Sequence, residues 1–271
     1  MTSAALVTGG GRGIGRAVAI ELARRGWRVA VAARTSAEIA ETVRIIEAGG
    51  GRGLAIVADV SCPAEVRELV RQAEALGSLD LLVNNAGMPG PIGPVWQIDP
   101  ESWWRCVEVN LRAAMLCCHA VLPGMVARGR GRVINVASGA GTVAIPQMSG
   151  YVTGKAALIR FTETVDLELR AHGVRAFAIQ PGTVRTRMVE EVLESRGDWL
   201  PWLPETIRAG RDVGPEIPAE VVALIASGAA DDRSGRLLMA PDELAGLRAR
   251  ESGTLETPAH VTDIGPGADS S

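Results

Sequence analysis

The chain has 271 residues, a formal net charge of −3, and 47% hydrophobic and 22% charged residues, which is the profile of a globular protein with a substantial core. Basic residues are spread along the sequence, so no nucleic-acid or membrane partner is expected and a small-molecule partner is favoured. The four cysteines lack CxxC spacing, which argues against a metal site or a disulfide framework. We find no signal peptide and no run near the roughly 20 apolar residues of a membrane span, so a cytoplasmic location is expected.

Short apolar runs alternate along the chain with longer segments in which apolar residues recur every three or four positions. The predicted strands are residues 4–8, 28–33, 53–58, 79–83, 132–136 and 174–180. The predicted helices are residues 14–25, 37–48, 63–76, 99–127 and 151–171. Continuous apolar strands separated by helices predict an α/β fold, a doubly wound Rossmann-type parallel sheet with helices on both faces.

The domain organisation follows from the same pattern. Residues 1–242 are predicted to form a single catalytic domain, in which about residues 187–213 form a mobile substrate lid that excludes water. Trp199 and Trp202 in this lid either line an aromatic pocket or pack the lid onto the body. Residues 243–271, rich in Gly, Pro, Ser and charge, predict a partly disordered C-terminal tail.

A glycine-rich turn follows the first predicted strand, from Thr8 to Gly15. Glycines allow backbone N–H groups to approach a pyrophosphate, and the following helix presents its positive end. An ordinary tight turn is the alternative, which the flanking strand and helix disfavour. The predicted cofactor contacts here are Gly9, Gly11, Arg12, Gly13, Ile14 and Gly15.

The end of the second predicted strand bears on the choice of cofactor. Dinucleotide folds usually place an acidic residue there to bind the adenosine ribose 2′-hydroxyl, whereas this chain has Ala33 and Arg34. A guanidinium is a bidentate donor for a 2′-phosphate, and Arg12 could approach it from the other side. NADP is therefore favoured over NAD; the alternative is that both arginines are solvated surface charges.

The single tyrosine and the sole lysine stand four apart, as Tyr151 and Lys155. The other basic residues are arginine, so position 155 needs a compact ammonium that can hydrogen-bond two hydroxyls. A positive charge about 5 Å from a phenol, at an effective dielectric near 20, favours the phenolate by roughly 3 kcal/mol, or about two pKa units. The pair therefore indicates a general acid/base, and an incidental helix-surface pair is the alternative.

Five motifs together resemble the short-chain dehydrogenases/reductases, in their single-domain branch, over roughly residues 4–240. They are the turn at 8–15, Asn84-Asn85-Ala86-Gly87, Ser138 thirteen positions before the tyrosine, Tyr151-x-x-x-Lys155, and the segment Pro181-Gly182-Thr183-Val184-Arg185-Thr186. One departure is near the C-terminus, where Ser234 to Asp242 replaces the strand and Asp-Gly-Gly turn common in that family.

The resemblance implies the catalytic roles. Tyr151 would exchange a proton with the carbonyl or hydroxyl oxygen, and Lys155 would bind the nicotinamide ribose and lower the tyrosine pKa. Ser138 would hydrogen-bond the substrate oxygen, and Asn110 would hold a water for proton relay. Taken without the resemblance, Ser138 could be only a helix cap and Asn110 only a polar helix residue.

The resemblance also implies further cofactor contacts. Asp59 would bind near the adenine, although it could instead cap the next helix. Asn84, Ala86 and Gly87 would line the path of the ribose and nicotinamide. The remaining predicted contacts are Val60, Asn85, Ala86, Gly87, Pro181, Gly182, Val184 and Thr186.

The predicted function is an NADP-dependent ketoreductase or secondary-alcohol dehydrogenase working in the reductive direction. The alternatives are an NAD-linked alcohol or diol dehydrogenase, and a non-catalytic NADP-sensing protein, which would be expected to lack Tyr151 or Lys155. The resemblance further implies a homotetramer or homodimer built on the helices at 99–127 and 151–171. Their apolar residues on several faces fit this assembly, and would fit a fully buried monomer core as well.

Overall fold

The computed structural model describes residues 3–254, and within that range seven strands form one parallel sheet in the order β3-β2-β1-β4-β5-β6-β7. The strands are β1 Ser3–Thr8, β2 Arg28–Ala33, β3 Arg52–Val57, β4 Ser78–Asn84, β5 Gly131–Val136, β6 Val174–Gln180 and β7 Leu237–Met239. The first six agree with the predicted strands to within a residue. Most are apolar runs buried on both faces of the sheet, whereas the edge strand β3 is largely exposed.

Ten α-helices are found in the described residues, and they connect or follow the strands. They are α1 Gly13–Arg24, α2 Ser36–Ala48, α3 Pro63–Ala73, α4 Pro100–Val107, α5 Ala113–Arg128, α6 Ser149–Leu169, α7 Arg187–Arg196, α8 Trp202–Arg208, α9 Glu216–Ser227 and α10 Ala240–Glu251. A π-helical turn, Glu108–Arg112, joins α4 to α5. The two longest predicted helices end at glycines that follow Arg128 and His172 in the left-handed conformation.

The core lies on both faces of the sheet. One cluster of buried side chains joins the sheet to α1, α2, α9 and α10, and includes Leu22 and Phe177. The other joins the opposite face to α3, α5 and α6, and includes Leu69 and Met125. Helices thus cover both faces, and the predicted doubly wound Rossmann-type fold is confirmed.

The strand order reverses direction at β1. This strand pairs with β2 on one side and with β4 on the other. A crevice therefore opens beyond the carboxyl ends of β1 and β4, which is where ligands bind in sheets of this kind. The glycine turn after Thr8 and the segment after Asn84 both start at this edge.

The C-terminal region differs from the prediction. The segment from Ala240 forms α10, which packs on α9 and buries Leu244 and Leu247 in the core. The predicted tail from residue 243 therefore begins inside a docked helix; residues 255–271 lie outside the described range. The helix was missed because charged residues and Gly246 surround only two strongly buried leucines.

The helix predicted at 99–127 is continuous through α4, the π turn and α5. By length and composition this segment could cross a membrane, contrary to the expectation that no run approaches a span. However, Ala113, Cys117, Val121 and Met125 along one side are buried against the sheet. Such packing is typical of a core helix in a doubly wound domain.

Candidate active site

Tyr151 and Lys155 lie one turn apart near the start of α6. Nζ of Lys155 is 5.8 Å from the centroid of the Tyr151 ring, so the two side chains share a helix face. Lys155 is only 4% exposed, and its Nζ donates a hydrogen bond to the carbonyl oxygen of Val136 at 2.7 Å. The ammonium is thus held against the carboxyl end of β5.

Burial dominates the protonation of both groups. It lowers the pKa of Lys155 from 10.5 to about 8. It also raises the pKa of Tyr151 above its usual 10.0, a shift that a hydrogen bond with Ser138 opposes and the nearby Cys106 reinforces. In the chain alone the pKa of Tyr151 is therefore raised, mainly because burial disfavours the phenolate. The lowering of this pKa by Lys155 that the resemblance implies stays a prediction.

Ser138 follows β5 in an extended conformation. Its Oγ accepts a hydrogen bond from the backbone N–H of Ala140 at 3.2 Å and also interacts with Tyr151. Ser138 is therefore a cap for the short turn after β5, as the simpler alternative held, and a neighbour of the tyrosine hydroxyl as well. A single hydroxyl can do both, because it carries one donor and two acceptor lone pairs.

Asn110 is placed by the π-helical turn and is 1% exposed. Its Nδ2 donates to the carbonyl oxygens of Met88 at 2.8 Å and Cys106 at 2.9 Å. Its Oδ1 has no hydrogen-bond partner among the described residues. A Cβ at Gly87 would lie 2.9 Å from this oxygen and 3.6 Å from Nζ of Lys155. An acceptor and an ammonium thus converge on Gly87, and each has capacity for a further partner.

The glycine turn forms a cradle at the start of α1. Gly9 has a φ of 63°, and a Cβ at Gly15 would overlap the carbonyl oxygen of Gly9. Asn85 stabilises the turn from β4, donating to the carbonyl oxygens of Thr8 at 3.0 Å and Gly9 at 3.1 Å. Arg12 at the helix N-cap makes no side-chain capping bond, so the first N–H groups of α1 remain available to an anion. This cradle fits the pyrophosphate of a dinucleotide.

The cleft continues from this cradle toward the ends of β2 and β3, and it encloses about 740 Å³. Asp59 lies at that end, where its carboxylate accepts from the backbone N–H of Ser61 at 2.9 Å and pairs with Arg105 at 3.0 Å. Burial acts to raise the pKa of Asp59, but hydrogen bonds from Ser61 and the Arg105 guanidinium leave that pKa below its usual value. The N-cap of α3 is Cys62, so Asp59 does not cap that helix.

A family model described as short chain dehydrogenase matches residues 3–197. The chain belongs to the short-chain dehydrogenase/reductase family. It is similar to a short chain dehydrogenase of Monascus purpureus, with 34% identity over 93% of this chain and 85% of that protein. It is also similar to the cyclohexanol dehydrogenase of Acinetobacter sp. (strain SE19), with 33% identity over 85% of this chain and 88% of that protein.

The fold comparison agrees. The crystal structure of a variant of actinorhodin polyketide ketoreductase with NADPH matches with a TM-score of 0.82 and 31% identity. The match covers 90% of this chain and 97% of that one. The family identity makes this chain an oxidoreductase of the short-chain class, which uses a nicotinamide cofactor, and confirms the resemblance drawn from the sequence motifs.

Most of the predicted site residues of this short-chain dehydrogenase line the one cleft. They are Gly9, Gly11, Arg12, Gly13, Ile14, Arg34, Asp59, Val60, Asn85, Ala86, Gly87, Asn110, Tyr151, Lys155, Pro181 and Thr186. Gly15 instead packs beneath the turn, and Gly182 lies beside Val213 and Pro241. Val184 is buried and bridges to Val213. These three residues support the walls of the cleft without lining it.

The region predicted as a lid contains α7 and α8. Val192, Leu200 and Leu203 from this region form a small apolar cluster with Met148, and the partly buried Tyr151 packs against it. Trp199 and Trp202 are 37% and 41% exposed, so neither indole is fully buried in a pocket or against the body of the domain. The tyrosine therefore lies under an apolar cover, which accounts for the burial that governs its pKa.

Sequence reasoning missed several residues that line the cleft. Glu38 and Arg187 lie near its phosphate end, and Arg105 lies beside Asp59. Arg187 is exposed, and Glu38 and Arg105 are half-buried helix residues. Their charges resemble those of many surface residues in an arginine-rich chain. No spacing or motif distinguishes them, because they meet only through the tertiary fold.

Proposed function

We propose that this short-chain dehydrogenase is an NADP-dependent enzyme that interconverts a ketone and a secondary alcohol, with Tyr151 as the general acid/base. The observation that carries the proposal is the convergence of Tyr151, Lys155 and Asn110 at one end of the cleft, with Ser138 hydrogen-bonded to the tyrosine. The other end of that cleft presents the arginine at position 34. Each group has a role in carbonyl reduction that suits its chemistry.

A nicotinamide bound in the cleft would supply or accept the hydride. Tyr151 would donate a proton to the carbonyl oxygen during reduction and accept it from the alcohol during oxidation. Ser138 would donate a hydrogen bond to the same oxygen and stabilise its developing negative charge. Lys155, with one N–H held by Val136, would bind the ribose hydroxyls with the others. Asn110 would use its unpartnered Oδ1 to hold a water.

The cleft's own residues would hold the cofactor. The glycine cradle would bind the pyrophosphate, with the N-terminus of α1 adding its partial positive charge. Asp59 would contact the adenine, and the wall residues Asn85, Ala86, Gly87, Pro181 and Thr186 would contact the nicotinamide half. The apolar cover formed by the region 187–213 would exclude water from the reacting carbon.

The preference for NADP follows from charge. Arg34 and Arg12 line the cleft where an acidic residue would otherwise bind a 2′-hydroxyl, and a dianionic phosphate suits them. The similar actinorhodin polyketide ketoreductase structure was solved with NADPH, which supports this assignment by similarity. Arg34→Asp should lower the ratio of kcat/KM for NADPH over NADH by about 100-fold, through lost hydrogen bonds and added repulsion. An unchanged ratio would refute the role of Arg34.

The role of Tyr151 is tested by Tyr151→Phe, assayed through NADPH oxidation with a panel of ketones. We expect kcat to fall by at least about 100-fold, which is the usual contribution of a positioned general acid. NADPH affinity, measured by nicotinamide fluorescence, should stay within about threefold, because the variant removes one hydroxyl and no charge. Equal rates in the two proteins would exclude the tyrosine from the mechanism.

Alcohol oxidation is the second candidate, and the name of the Acinetobacter cyclohexanol dehydrogenase favours it. The same four side chains would serve both directions, so measurement of both directions with both cofactors is needed to choose. A non-catalytic NADP sensor is disfavoured because Tyr151 and Lys155 are both present.

We also propose that the protein is a homodimer or homotetramer in the cytoplasm. The exposed Trp104 and Met115 on the long helix suit a subunit contact. Light scattering of the purified protein tests the assembly.

A further inference from the structure

An acidic side chain stands among the arginines of the cofactor cleft. Glu38 lies in the first turn of α2 and lines the cleft together with Arg12 and Arg34. A carboxylate at this point would repel a phosphate bound nearby. The position of Glu38 therefore has to be reconciled with the proposed preference for NADP.

One oxygen of Glu38 faces two guanidinium groups. Its Oε1 lies 3.8 Å from Nη1 of Arg12 and 3.9 Å from Nη1 of Arg187. Both distances exceed a normal hydrogen bond, and the two arginine side chains are 47% and 64% exposed. Such loose, exposed pairs contribute little to the free energy of unfolding. The carboxylate oxygen of Glu38 thus occupies a position between two arginines where an anion can bind. Its own ion pairs with them are weak.

Arg187 reaches this position from the lid. It is the first residue of α7, and its Nε donates to Oε1 of Glu191 at 2.8 Å one turn later. That bond orients the guanidinium so that its Nη1 faces Glu38 across the cleft. With Arg12 from the glycine turn and Arg34 after the end of β2, guanidinium-bearing side chains from three separate elements line the same cleft. Three such groups suit a dianionic phosphate ester far better than a hydroxyl.

We propose that Arg187 is a third arginine for the 2′-phosphate of NADP, and that Glu38 is the internal anion which this phosphate displaces. The inference rests on the NADP-dependent function proposed above. Val189 and Val192 on the same helix pack with the cluster that covers Tyr151. Binding of the phosphate by Arg187 would therefore hold the lid over the tyrosine. NAD has no phosphate to displace Glu38 and would restrain the lid less.

Equilibrium binding of NADPH and NADH, followed by the fluorescence of the reduced nicotinamide, tests the inference without catalysis. In Arg187→Gln, the Kd for NADPH should rise about tenfold, and the Kd for NADH should change by less than about twofold. In Glu38→Gln, the Kd for NADPH should fall about threefold, because a like charge is removed. Arg185→Gln is the matched control: Arg185 is exposed, pairs with Glu190 and does not line the cleft, so both affinities should stay unchanged.

The outcomes separate the inference from the function on which it rests. An equal loss of NADPH and NADH affinity in Arg187→Gln would assign that arginine to the pyrophosphate and overturn the inference. Unchanged affinities in that variant, or weaker NADPH binding in Glu38→Gln, would overturn it also. Failure of the wild type to bind NADPH more tightly than NADH would instead refute the proposed NADP preference itself.

Hydrogen exchange tests the link to the lid independently. In the wild type, NADPH should slow amide exchange over α7 more than NADH does at matched saturation, because only NADPH draws Arg187 onto a phosphate. In Arg187→Gln the two cofactors should protect α7 equally. Equal protection in the wild type would show that phosphate binding does not restrain the lid.

Discussion

Replacing Lys155 by Met should stabilise the cofactor-free protein, relative to the wild type, more at neutral pH than at alkaline pH. Burial lowers the pKa of Lys155 from 10.5 to about 8, so the charged form is less favourable in the folded than in the unfolded chain. This destabilisation is fully present below pH 8 and disappears as the pH rises past 10.5, because the unfolded chain then also loses its proton. Only 4% of the lysine is exposed, so solvent screening is small.

The magnitude follows from linkage. Between pH 7 and pH 10, loss of the lysine proton should stabilise the wild type by about 2.5 kcal/mol, and the Met variant has no such group. The difference in free energy of unfolding, variant minus wild type, should therefore fall by about 2.5 kcal/mol over that interval. With an m-value near 3 kcal/mol/M, this is a change of about 0.8 M in the difference between urea midpoints. Loss of the hydrogen bond to Val136 changes the free energy of unfolding of the variant by the same amount at pH 7 and at pH 10, so it cancels from this comparison.

Urea unfolding at both pH values and at one protein concentration is the assay. Arg160→Met is the matched control, because it removes an 81% exposed cation from the same helix. Its difference from the wild type should not vary between pH 7 and pH 10, since arginine stays charged throughout. A constant difference for Lys155→Met would refute the reasoning, because the lysine would then have an ordinary pKa in the folded protein.

Two further substitutions test the cradle and the C-terminal helix. Gly15→Ala would place a Cβ against the carbonyl oxygen of Gly9, so we expect a loss of about 1–3 kcal/mol in stability and at least about tenfold weaker NADPH binding. Gly246→Ala in α10 is its control, since nothing lies within 4 Å of the added methyl, and it should stabilise by about 1 kcal/mol. Leu247→Ala, at a 1% exposed site, should cost about 2–4 kcal/mol in urea unfolding. A cost below about 0.5 kcal/mol would mean that α10 does not dock as described.

The strands and the cradle could be predicted because local sequence determines them. A continuous apolar run such as 29–33 is typical of a strand buried on both faces of a parallel sheet. The glycines at 9 and 15 were expected from the chemistry of the turn, and the structure gives the reason: one has a positive φ and the other allows no Cβ. Such constraints act within a few residues, so sequence patterns reveal them.

The direction of the Tyr151 pKa shift could not be predicted from the sequence, although the nearness of Lys155 to its ring could. The helical spacing predicted that Lys155 lies beside the Tyr151 ring, and its Nζ is 5.8 Å from the ring centroid. What spacing does not contain is desolvation, which depends on Met148 and the lid cluster that covers the ring. The contact of Glu38 with Arg187 was hidden for a similar reason: residues far apart in the chain are brought together by the fold alone.

The burial of Lys155 accounts for its retention in a chain whose other basic residues are arginine. The site offers one backbone acceptor, at Val136, and little solvent. An arginine there would present five N–H donors to that single carbonyl and could not lose its charge, so several buried donors would remain unsatisfied. A lysine has three donors and a pKa that can fall to about 8, so burial costs it less. In the proposed mechanism its two remaining N–H groups would bind the ribose hydroxyls, and these would favour the charged form and raise its pKa again. On the proposed mechanism, Lys155 would therefore be most fully charged when the ribose hydroxyls are in place, which is when Tyr151 would exchange its proton.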